Sequence, residues 1–316
     1  MIVFRTDASK ETGFGRLIRS ACLASLLKSR VEILFCLDAA SDKAAFRYLQ
    51  EKNFPCCTLK GLLRRGSLPV NAVIFDLDKF TGEDIRWIER LNTGDKKTET
   101  IQMASLVNPE ANREDIGDNK ELPGGPGYAV LHTKFRHFNK VKRKYRKKIK
   151  KVFVCLGGAT SYNRMRKAVD LLSRLQLDIK IAPGFYLKSS NLKTLRRIYP
   201  GIRFVGKTES LARSFFEADA ALITPGNAAY EAAAVGTPAL YCPDSEKQKP
   251  IAETFEKQGA GLTLSSIDRL VFETLAEKIN ALTLEKRIHM GNAGKRLVDG
   301  KGIYRVIEFL QKEKIL

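Results

Sequence analysis

Residues 219–243 read DAALITPGNAAYEAAAVGTPALYCP, and this stretch decides the fold class. An apolar run with strand character ends in small turn residues, a helical run follows, and a second apolar run comes directly after the helix. A strand, a helix and a strand in this succession form a unit whose two strands lie parallel. The stretch therefore predicts an α/β domain in which helices cover both faces of a parallel sheet.

The same alternation extends through most of the chain. In the first half, strands are predicted at 1–7, 31–37 and 71–76, with helices at 15–29, 41–52 and 81–92. A loop-rich stretch and then a basic segment, 138–151, interrupt the pattern, which restarts with a strand at 152–158. We therefore expect two Rossmann-like, doubly wound domains, residues 1–147 and 148–316, that face each other across a cleft.

Composition excludes several classes of protein. Hydrophobic residues make up 44% of the chain, which excludes a disordered or collagen-like protein. No apolar run reaches about 18 residues, and the N-terminus lacks the pattern of a signal peptide, so we expect a cytoplasmic location. Six cysteines without a CxxC pair, together with three histidines, predict no disulfide framework and no zinc site. We expect neither a metal ion nor another cofactor.

The net charge of +20 predicts an anionic partner, such as a sugar-nucleotide phosphate, an acidic lipid or a nucleic acid. Nine of the twelve residues 140–151 are Lys or Arg, and none is acidic. This run suits peripheral contact with an anionic membrane surface, or else a solvated helix between the domains. A nucleic acid is the least favoured partner, because Tyr145 is the one aromatic residue in the run and offers no stacking platform.

Candidate site residues follow predicted strands, because ligands of doubly wound sheets bind beyond the carboxyl ends of the strands. After the first strand, Gly13 and Gly15 allow a tight turn before a helix whose free N–H groups suit an anion. An ordinary turn explains these glycines as well. Asp76 and Asp78 follow another strand, where they could act in catalysis with Mg²⁺, line the cleft or cap the next helix.

The second domain offers a similar turn at Gly157 and Gly158. Paired glycines after a buried strand let the backbone approach a ligand, and Thr160 or Ser161 could cap the following helix. A plain strand-to-helix turn is the alternative.

The alanine-rich helix after Gly226 carries a single acid, Glu231, four residues beyond Asn227, so that both side chains face the same way. A carboxylate one turn into such a helix can accept two ribose hydroxyl bonds, and an exposed helix acid is the alternative. Of the three histidines, His132 is the best candidate for proton transfer, since it follows an apolar run that should end in the cleft.

At these residues the chain resembles a known family, the UDP-sugar hydrolase of pseudaminic acid biosynthesis and the related spore-coat polysaccharide proteins. Those proteins share the two-domain GT-B glycosyltransferase fold with the enzyme that adds GlcNAc to the lipid-linked peptidoglycan precursor. The matching stretches are FRTDASKETGFGRLIRS, IFDLD, GPGYAVLHTKF, VFVCLGGATSYN and ALITPGNAAYEAAAVGTPALYCPDSEKQKPIAETFEKQGAGL.

The resemblance implies a UDP-sugar held mainly by the C-terminal domain. Gly157 and Gly158 would contact the nucleotide, and Glu231 would hold the ribose. Asn227 and Ala228 would lie by the diphosphate, and Gln248 would reach the sugar or the ribose side. Further substrate-binding candidates are Gly226 in this domain and, in the first domain, Gly13, Gly15, Arg19 and Tyr128.

The chain departs from the hydrolase at the residue that activates water. Arg16 stands where the hydrolase has a histidine, and arginine cannot serve as a base because it stays protonated. His132 stands where the hydrolase tends to carry an arginine. We therefore expect His132 to supply the base and Arg16 to clamp a phosphate or the substrate.

Three functions remain open at this point. The chain could be a glycosyltransferase that releases UDP from a UDP-linked amino sugar in surface polysaccharide or nonulosonic acid synthesis, with helix N-termini and arginines stabilising the departing diphosphate. It could be a UDP-sugar hydrolase that uses His132, or a sugar-nucleotide-binding partner protein without catalysis.

Overall fold

A computed structural model describes residues 1–64, 68–77, 80–91, 98–103, 120–121, 123–206 and 210–316. The chain forms two compact units. The first unit comprises Met1–Val130 and Gly302–Leu316, and the second comprises Leu131–Lys301.

The first unit is built on a parallel sheet of six strands in the order β3-β2-β1-β4-β5-β6. Its strands are β1 Ile2–Thr6, β2 Ile33–Leu37, β3 Cys56–Thr58, β4 Ala72–Asp76, β5 Glu99–Gln102 and β6 Lys120–Glu121. Between them run the helices α1 Gly15–Leu27, α2 Lys43–Glu51, α3 Leu59–Leu63 and α4 Gly82–Leu91. The central strands β1, β2 and β4 are buried along their whole length, as expected for strands covered on both faces.

The second unit repeats this plan, with six parallel strands in the order β12-β11-β10-β7-β8-β9. Its strands are β7 Lys151–Cys155, β8 Asp178–Ile181, β9 Arg203–Phe204, β10 Ala220–Ile223, β11 Ala239–Tyr241 and β12 Gly261–Thr263. Its helices are α5 Thr133–Lys140, α6 Tyr162–Ser173, α7 Ser189–Ile198, α8 Leu211–Glu217, α9 Asn227–Ala234, α10 Lys249–Lys257, α11 Phe272–Asn280 and α12 Leu284–Leu297.

Both sheets have the same strand order when each is numbered from its own first strand, 3-2-1-4-5-6. This is the order of doubly wound nucleotide-binding folds, so the predicted fold class is confirmed. The order reverses between β1 and β4 in the first unit and between β7 and β10 in the second. Ligands of such sheets bind at this reversal, beyond the carboxyl ends of the strands.

The division between the units differs from the boundary at 147/148 that the sequence indicates. It falls at Val130/Leu131, because α5 and the basic segment after it belong to the second unit. The Asn139 amide, for example, donates a 2.8 Å hydrogen bond to the Ala234 carbonyl at the end of α9. The last helix, α13 Gly302–Lys312, returns to the first unit.

Small residues let α12 pack closely on α9. A Cβ atom added at Gly294 would lie 3.0 Å from the Ala233 Cα atom, so a larger residue there would push the two helices apart. The run of alanines in α9 is therefore a packing surface, and it fixes the orientation of the helix that carries Glu231.

The basic segment is not a helix. Residues 141–150 have neither helical nor strand hydrogen bonding, so the alternative of a solvated helix is wrong. None of the helices in the described part of the chain is long and apolar enough to cross a bilayer.

Candidate functional site

The turn after β7 leaves open space beside its backbone. Gly157 has a φ of +78°, a conformation that favours glycine, and a Cβ atom added there would meet nothing within 4 Å. Gly158 accepts a 2.8 Å hydrogen bond from the Phe185 N–H, and a Cβ atom added at Gly184 would lie 2.9 Å from the Gly158 oxygen. The loop after β8 therefore holds the paired glycines in place while Gly157 stays accessible.

The turn after β10 leads into α9 beside the same edge of the sheet. The Thr224 N–H donates a 3.2 Å hydrogen bond to the Cys155 carbonyl, which ties this turn to the end of β7. A Cβ atom added at Gly226 would meet nothing within 4 Å, and α9 begins at Asn227 without an acid in its first turn. The N–H groups of Asn227 and Ala228 thus belong to a helix start that suits an anion.

Glu231 is a carboxylate without a partner among the described residues. Its side chain is partly buried, and burial raises its pKa to about 7. It lies close enough to Cys155, at the end of β7, for its charge to add to the burial that raises the pKa of that thiol. An exposed helix acid would show none of this, so the alternative from the sequence does not describe Glu231. Its placement suits a ligand that donates hydrogen bonds.

Three buried polar atoms follow strands of the second sheet and have no hydrogen-bond partner within the described residues: Thr160 Oγ1, Thr224 Oγ1 and Asp244 Oδ1. Each follows one of the adjacent strands β7, β10 and β11. The Thr224 Oγ1 atom has no hydrogen-bond partner among the described residues, yet it lies near enough to Asp244 to oppose the rise in the pKa of that carboxyl. Buried polar atoms are normally satisfied, so this cluster is poised for hydrogen bonds from outside the protein.

Asp244 is held from two sides. Its Oδ2 atom forms a 3.2 Å ion pair with Arg164 Nη1, and its backbone N–H donates a 2.7 Å hydrogen bond to Gln248 Oε1. Burial nevertheless raises the pKa of Asp244, because it outweighs the opposing effect of Arg164. The Gln248 oxygen is therefore occupied, which leaves its amide N–H groups for a ligand.

Ser161, and not Thr160, caps α6, since its hydroxyl accepts a 3.3 Å hydrogen bond from the Arg164 N–H. Sequence reasoning missed Thr160, Thr224 and Asp244 as ligand-binding groups. Their position directly after strands was the signal that could have found them.

In the first unit, Arg16 and Asp7 form an ion pair at the end of β1. The Arg16 Nη1 and Asp7 Oδ1 atoms are 2.8 Å apart, and the two side chains are 17% and 18% exposed. Gly13 has a φ of +77° and donates a 2.8 Å hydrogen bond to the Ser9 carbonyl, and Gly15 is the first residue of α1. Arg16 is therefore partly accessible, and Asp7 is one of its partners.

Arg19 and Asp76 form a buried pair and do not line an open site. Arg19 Nε donates a 2.7 Å hydrogen bond to Asp76 Oδ2, and Arg19 Nη2 bonds to the other carboxylate oxygen. The Ser20 hydroxyl donates a further bond of 3.0 Å to Asp76. This arrangement ties α1 to the end of β4. We therefore interpret both side chains as structural, whereas the sequence suggests a catalytic role for Asp76 and a substrate-binding role for Arg19. Asp78 lies outside the described residues.

His132 caps α5 in the second unit. Its side chain is exposed, and its Nδ1 atom accepts a 3.2 Å hydrogen bond from the Lys134 N–H. In the neutral ring the proton then resides on Nε2, so His132 is oriented as a donor. To act as a base it would have to give up this cap. Tyr128 lies half-buried in a single helical turn, Pro126–Tyr128, near the end of the first unit's main segment.

Metal ligands do not gather in the part of the chain that the structure describes. No three His, Cys, Asp or Glu side chains there are arranged to hold a metal ion.

Comparisons with known proteins agree with this architecture. No model of a protein family matches the chain. The chain is 26% identical over 337 aligned positions to the spore coat polysaccharide biosynthesis protein SpsG of Bacillus subtilis, covering 96% of each. The crystal structure of MurG from Acinetobacter baumannii superposes with a TM-score of 0.63 at 13% identity, covering 98% of this chain and 99% of that one. HepE from Anabaena, solved in complex with UDP and glucose, has a TM-score of 0.55 at 12% identity, covering 100% and 99%.

Two parallel α/β units of identical strand order, with these structural neighbours, define the GT-B fold. The chain is also similar in sequence to a polysaccharide biosynthesis protein.

Proposed function

We propose that this protein is a sugar-nucleotide-dependent, glycosyltransferase-like enzyme that acts on a UDP-linked amino sugar and releases UDP in surface polysaccharide or nonulosonic acid biosynthesis. The second unit holds the UDP-sugar, and the first unit receives the group to which the sugar is transferred.

The observation that carries the proposal is the unpartnered, partly buried carboxylate of Glu231 at the reversal point of the second sheet. Leaving a carboxylate without partners in such surroundings is unfavourable unless a ligand supplies hydrogen-bond donors. Two ribose hydroxyls are such donors. HepE, which has the same fold, was solved with UDP and glucose, which supports a uridine nucleotide as the ligand.

The remaining groups fit the rest of a UDP-sugar. The first turn of α9, at Asn227 and Ala228, would stabilise the diphosphate, because its N–H groups favour negative charge. That charge grows as the bond to the anomeric carbon breaks, so the same groups would favour departure of UDP. Gln248 and Asp244 would hydrogen-bond the sugar.

Hydrolysis with His132 as the base is the second candidate. The observation in its favour is the exposure of the His132 ring, and the hydrogen bond from Lys134 to Nδ1 counts against it. A partner protein that binds a sugar nucleotide without catalysis is the third. Arg16 fits all three, since it can hold a phosphate but cannot remove a proton.

UDP release separates these candidates. The purified protein is incubated with a panel of UDP-hexoses and UDP-N-acetylhexosamines, with and without an extract of surface-polysaccharide precursors as acceptor. We expect release that depends on the acceptor. Release in water alone would identify the hydrolase, and tight UDP binding without release would identify the binding protein.

A matched pair of variants connects activity to the site. Glu231→Gln removes the charge of the proposed ribose acceptor, and Glu253→Gln removes an exposed carboxylate on α10. We expect the first variant to lower kcat/KM by about 10- to 100-fold, as for lost hydrogen bonds to a charged group, and the second to leave it unchanged. Equal activity of both variants would contradict the assignment of Glu231.

A further inference from the structure

The basic segment 140–151, called here the cationic strap, is fixed to the second unit by alternate side chains. The Arg143 guanidinium donates hydrogen bonds to the Ala218 carbonyl and, at 3.0 Å, to Thr237 Oγ1. The Tyr145 hydroxyl donates a 3.2 Å bond to the Gly236 carbonyl. Lys142 and Lys144, the neighbours of these inward residues, are exposed, so inward and outward side chains alternate over residues 142–145.

Helix α12 holds the strap from its other side through three residues spaced four apart. Arg287 Nη2 donates bonds of 2.7 and 3.0 Å to the carbonyls of residues 146 and 147, and Lys295 Nζ donates bonds of 2.8 Å to those of residues 139 and 141. Between them, Gly291 leaves room for the Tyr145 ring, since a Cβ atom there would lie 1.8 Å from the Tyr145 hydroxyl. The strap therefore runs antiparallel to α12 in a fixed, extended form.

The outward face of the strap is formed by lysines that have no ion pair with any described residue. They are all exposed: Lys140, Lys142, Lys144, Lys147, Lys148 and Lys150. The strap's side chains that do bond to the protein are chiefly its two arginines and its tyrosine. Holding so many like charges on one short segment is unfavourable by itself, because neighbouring lysines repel each other. An anionic partner would remove that repulsion.

We propose that the cationic strap docks the second unit onto an anionic lipid surface. Outward lysines are mobile point charges, which suit a fluid layer of phosphate headgroups, whereas both arginines, the groups that read nucleic acids, are bonded to side chains of the second unit, Arg143 to Thr237 and Arg146 to Asp219. The one aromatic ring of the strap is also turned inward, so it offers no stacking platform for a single strand. Val141 is 36% exposed between Lys140 and Lys142 and gives the row an apolar point of contact.

Vesicle cosedimentation tests this proposal with the full-length protein in 0.1 M salt. The strap variant is K142Q/K144Q/K147Q/K148Q. The control variant removes the same charge from exposed lysines elsewhere in the second unit, K188Q/K193Q/K257Q/K301Q. Vesicles of 30% phosphatidylglycerol in phosphatidylcholine are compared with phosphatidylcholine alone, and a 24-base-pair duplex serves as the competing polyanion.

We expect the wild type to partition at least tenfold more strongly onto the phosphatidylglycerol vesicles. Each surface lysine is worth about fivefold in partition coefficient, so the strap variant should lose at least tenfold and the control variant less than about threefold. Equal losses in both variants would overturn the proposal, since net charge alone would then explain binding. Tighter binding of the wild type to the duplex than to the vesicles, lost in the strap variant, would overturn it in favour of a nucleic acid. Melting temperatures of both variants, measured in parallel, establish that the changes leave the fold intact.

Discussion

Replacing Glu231 by glutamine should stabilise the protein at alkaline pH while weakening its proposed function. Burial raises the pKa of this carboxyl to about 7, from an ordinary value of 4.5. The folded protein thus keeps the proton at pH values where the unfolded chain has lost it. Stability conferred by this group therefore falls as pH rises from about 4.5 to 7 and stays at its low value above that window. Glutamine has a similar shape and no charge to desolvate.

The difference between the folded and unfolded pKa values of Glu231 sets the size of the expected gain in unfolding free energy. It amounts to 7 − 4.5, or about 2.5 units, and each unit corresponds to about 1.36 kcal/mol, which gives a limit near 3.4 kcal/mol. Because the side chain is only partly buried, water at the open side of the site reduces this limit. We expect Glu231→Gln to gain about 2 kcal/mol at pH 8 and close to nothing at pH 4.5.

Thermal unfolding of the two proteins at pH 4.5, 6 and 8, without ligand, measures this gain. About 2 kcal/mol corresponds to a rise of roughly 4–8 °C in the melting temperature of a unit of this size. Glu253→Gln, at an exposed carboxylate of α10, controls for the loss of a negative charge in a basic protein. A difference between Glu231→Gln and wild type that does not change with pH, or a loss of stability at pH 8, would refute the reasoning.

Three other substitutions test the described contacts. Gly291→Ala should destabilise the protein by about 1–3 kcal/mol despite the better helix propensity of alanine, because the added methyl group would overlap Tyr145; an unchanged urea midpoint would argue against that packing. Asp76→Asn should lower the free energy of unfolding by about 3–5 kcal/mol, since it leaves Arg19 buried without its counter-charge. A clearly smaller loss in chemical denaturation would show that the pair is not structural. His132→Asn keeps a capping side chain and should retain UDP release, whereas loss of activity by about 10²-fold or more would assign His132 as a base.

The sequence was sufficient for the central strands and insufficient for the edges of the sheets. Strands β1, β7, β10 and β11 are nearly continuous apolar runs bounded by turn residues, so their pattern predicts them. Strands β3, β5, β6 and β12 were not predicted. They are short, and β5, with the sequence ETIQ, becomes a strand because it pairs with β4.

The residues of the candidate site also fall into those that a local sequence pattern predicts and those that only tertiary contacts reveal. Glu231 stood out as the one acid in a run of alanines, which is a local signal. The pairing of Arg19 with Asp76 joins residues 57 apart in sequence, and no local pattern contains it. Polar residues such as Thr224 and Asp244 commonly follow strands, and only the packed structure reveals that their oxygens have unmet hydrogen bonds. The division between the units has a related cause, because the contacts of α5 with α9 and of the strap with α12 are tertiary and no local pattern contains them.

The most direct measurement is the affinity of the full-length protein for UDP, by isothermal titration calorimetry at pH 8, in comparison with GDP, ADP, CMP and dTDP. We predict that UDP binds at least tenfold more tightly than the other nucleotides, and that Glu231→Gln weakens UDP binding by about 10- to 100-fold. Absence of measurable binding to every nucleotide, or UDP binding that is unaffected in Glu231→Gln, would contradict the assignment of the second unit as the sugar-nucleotide site.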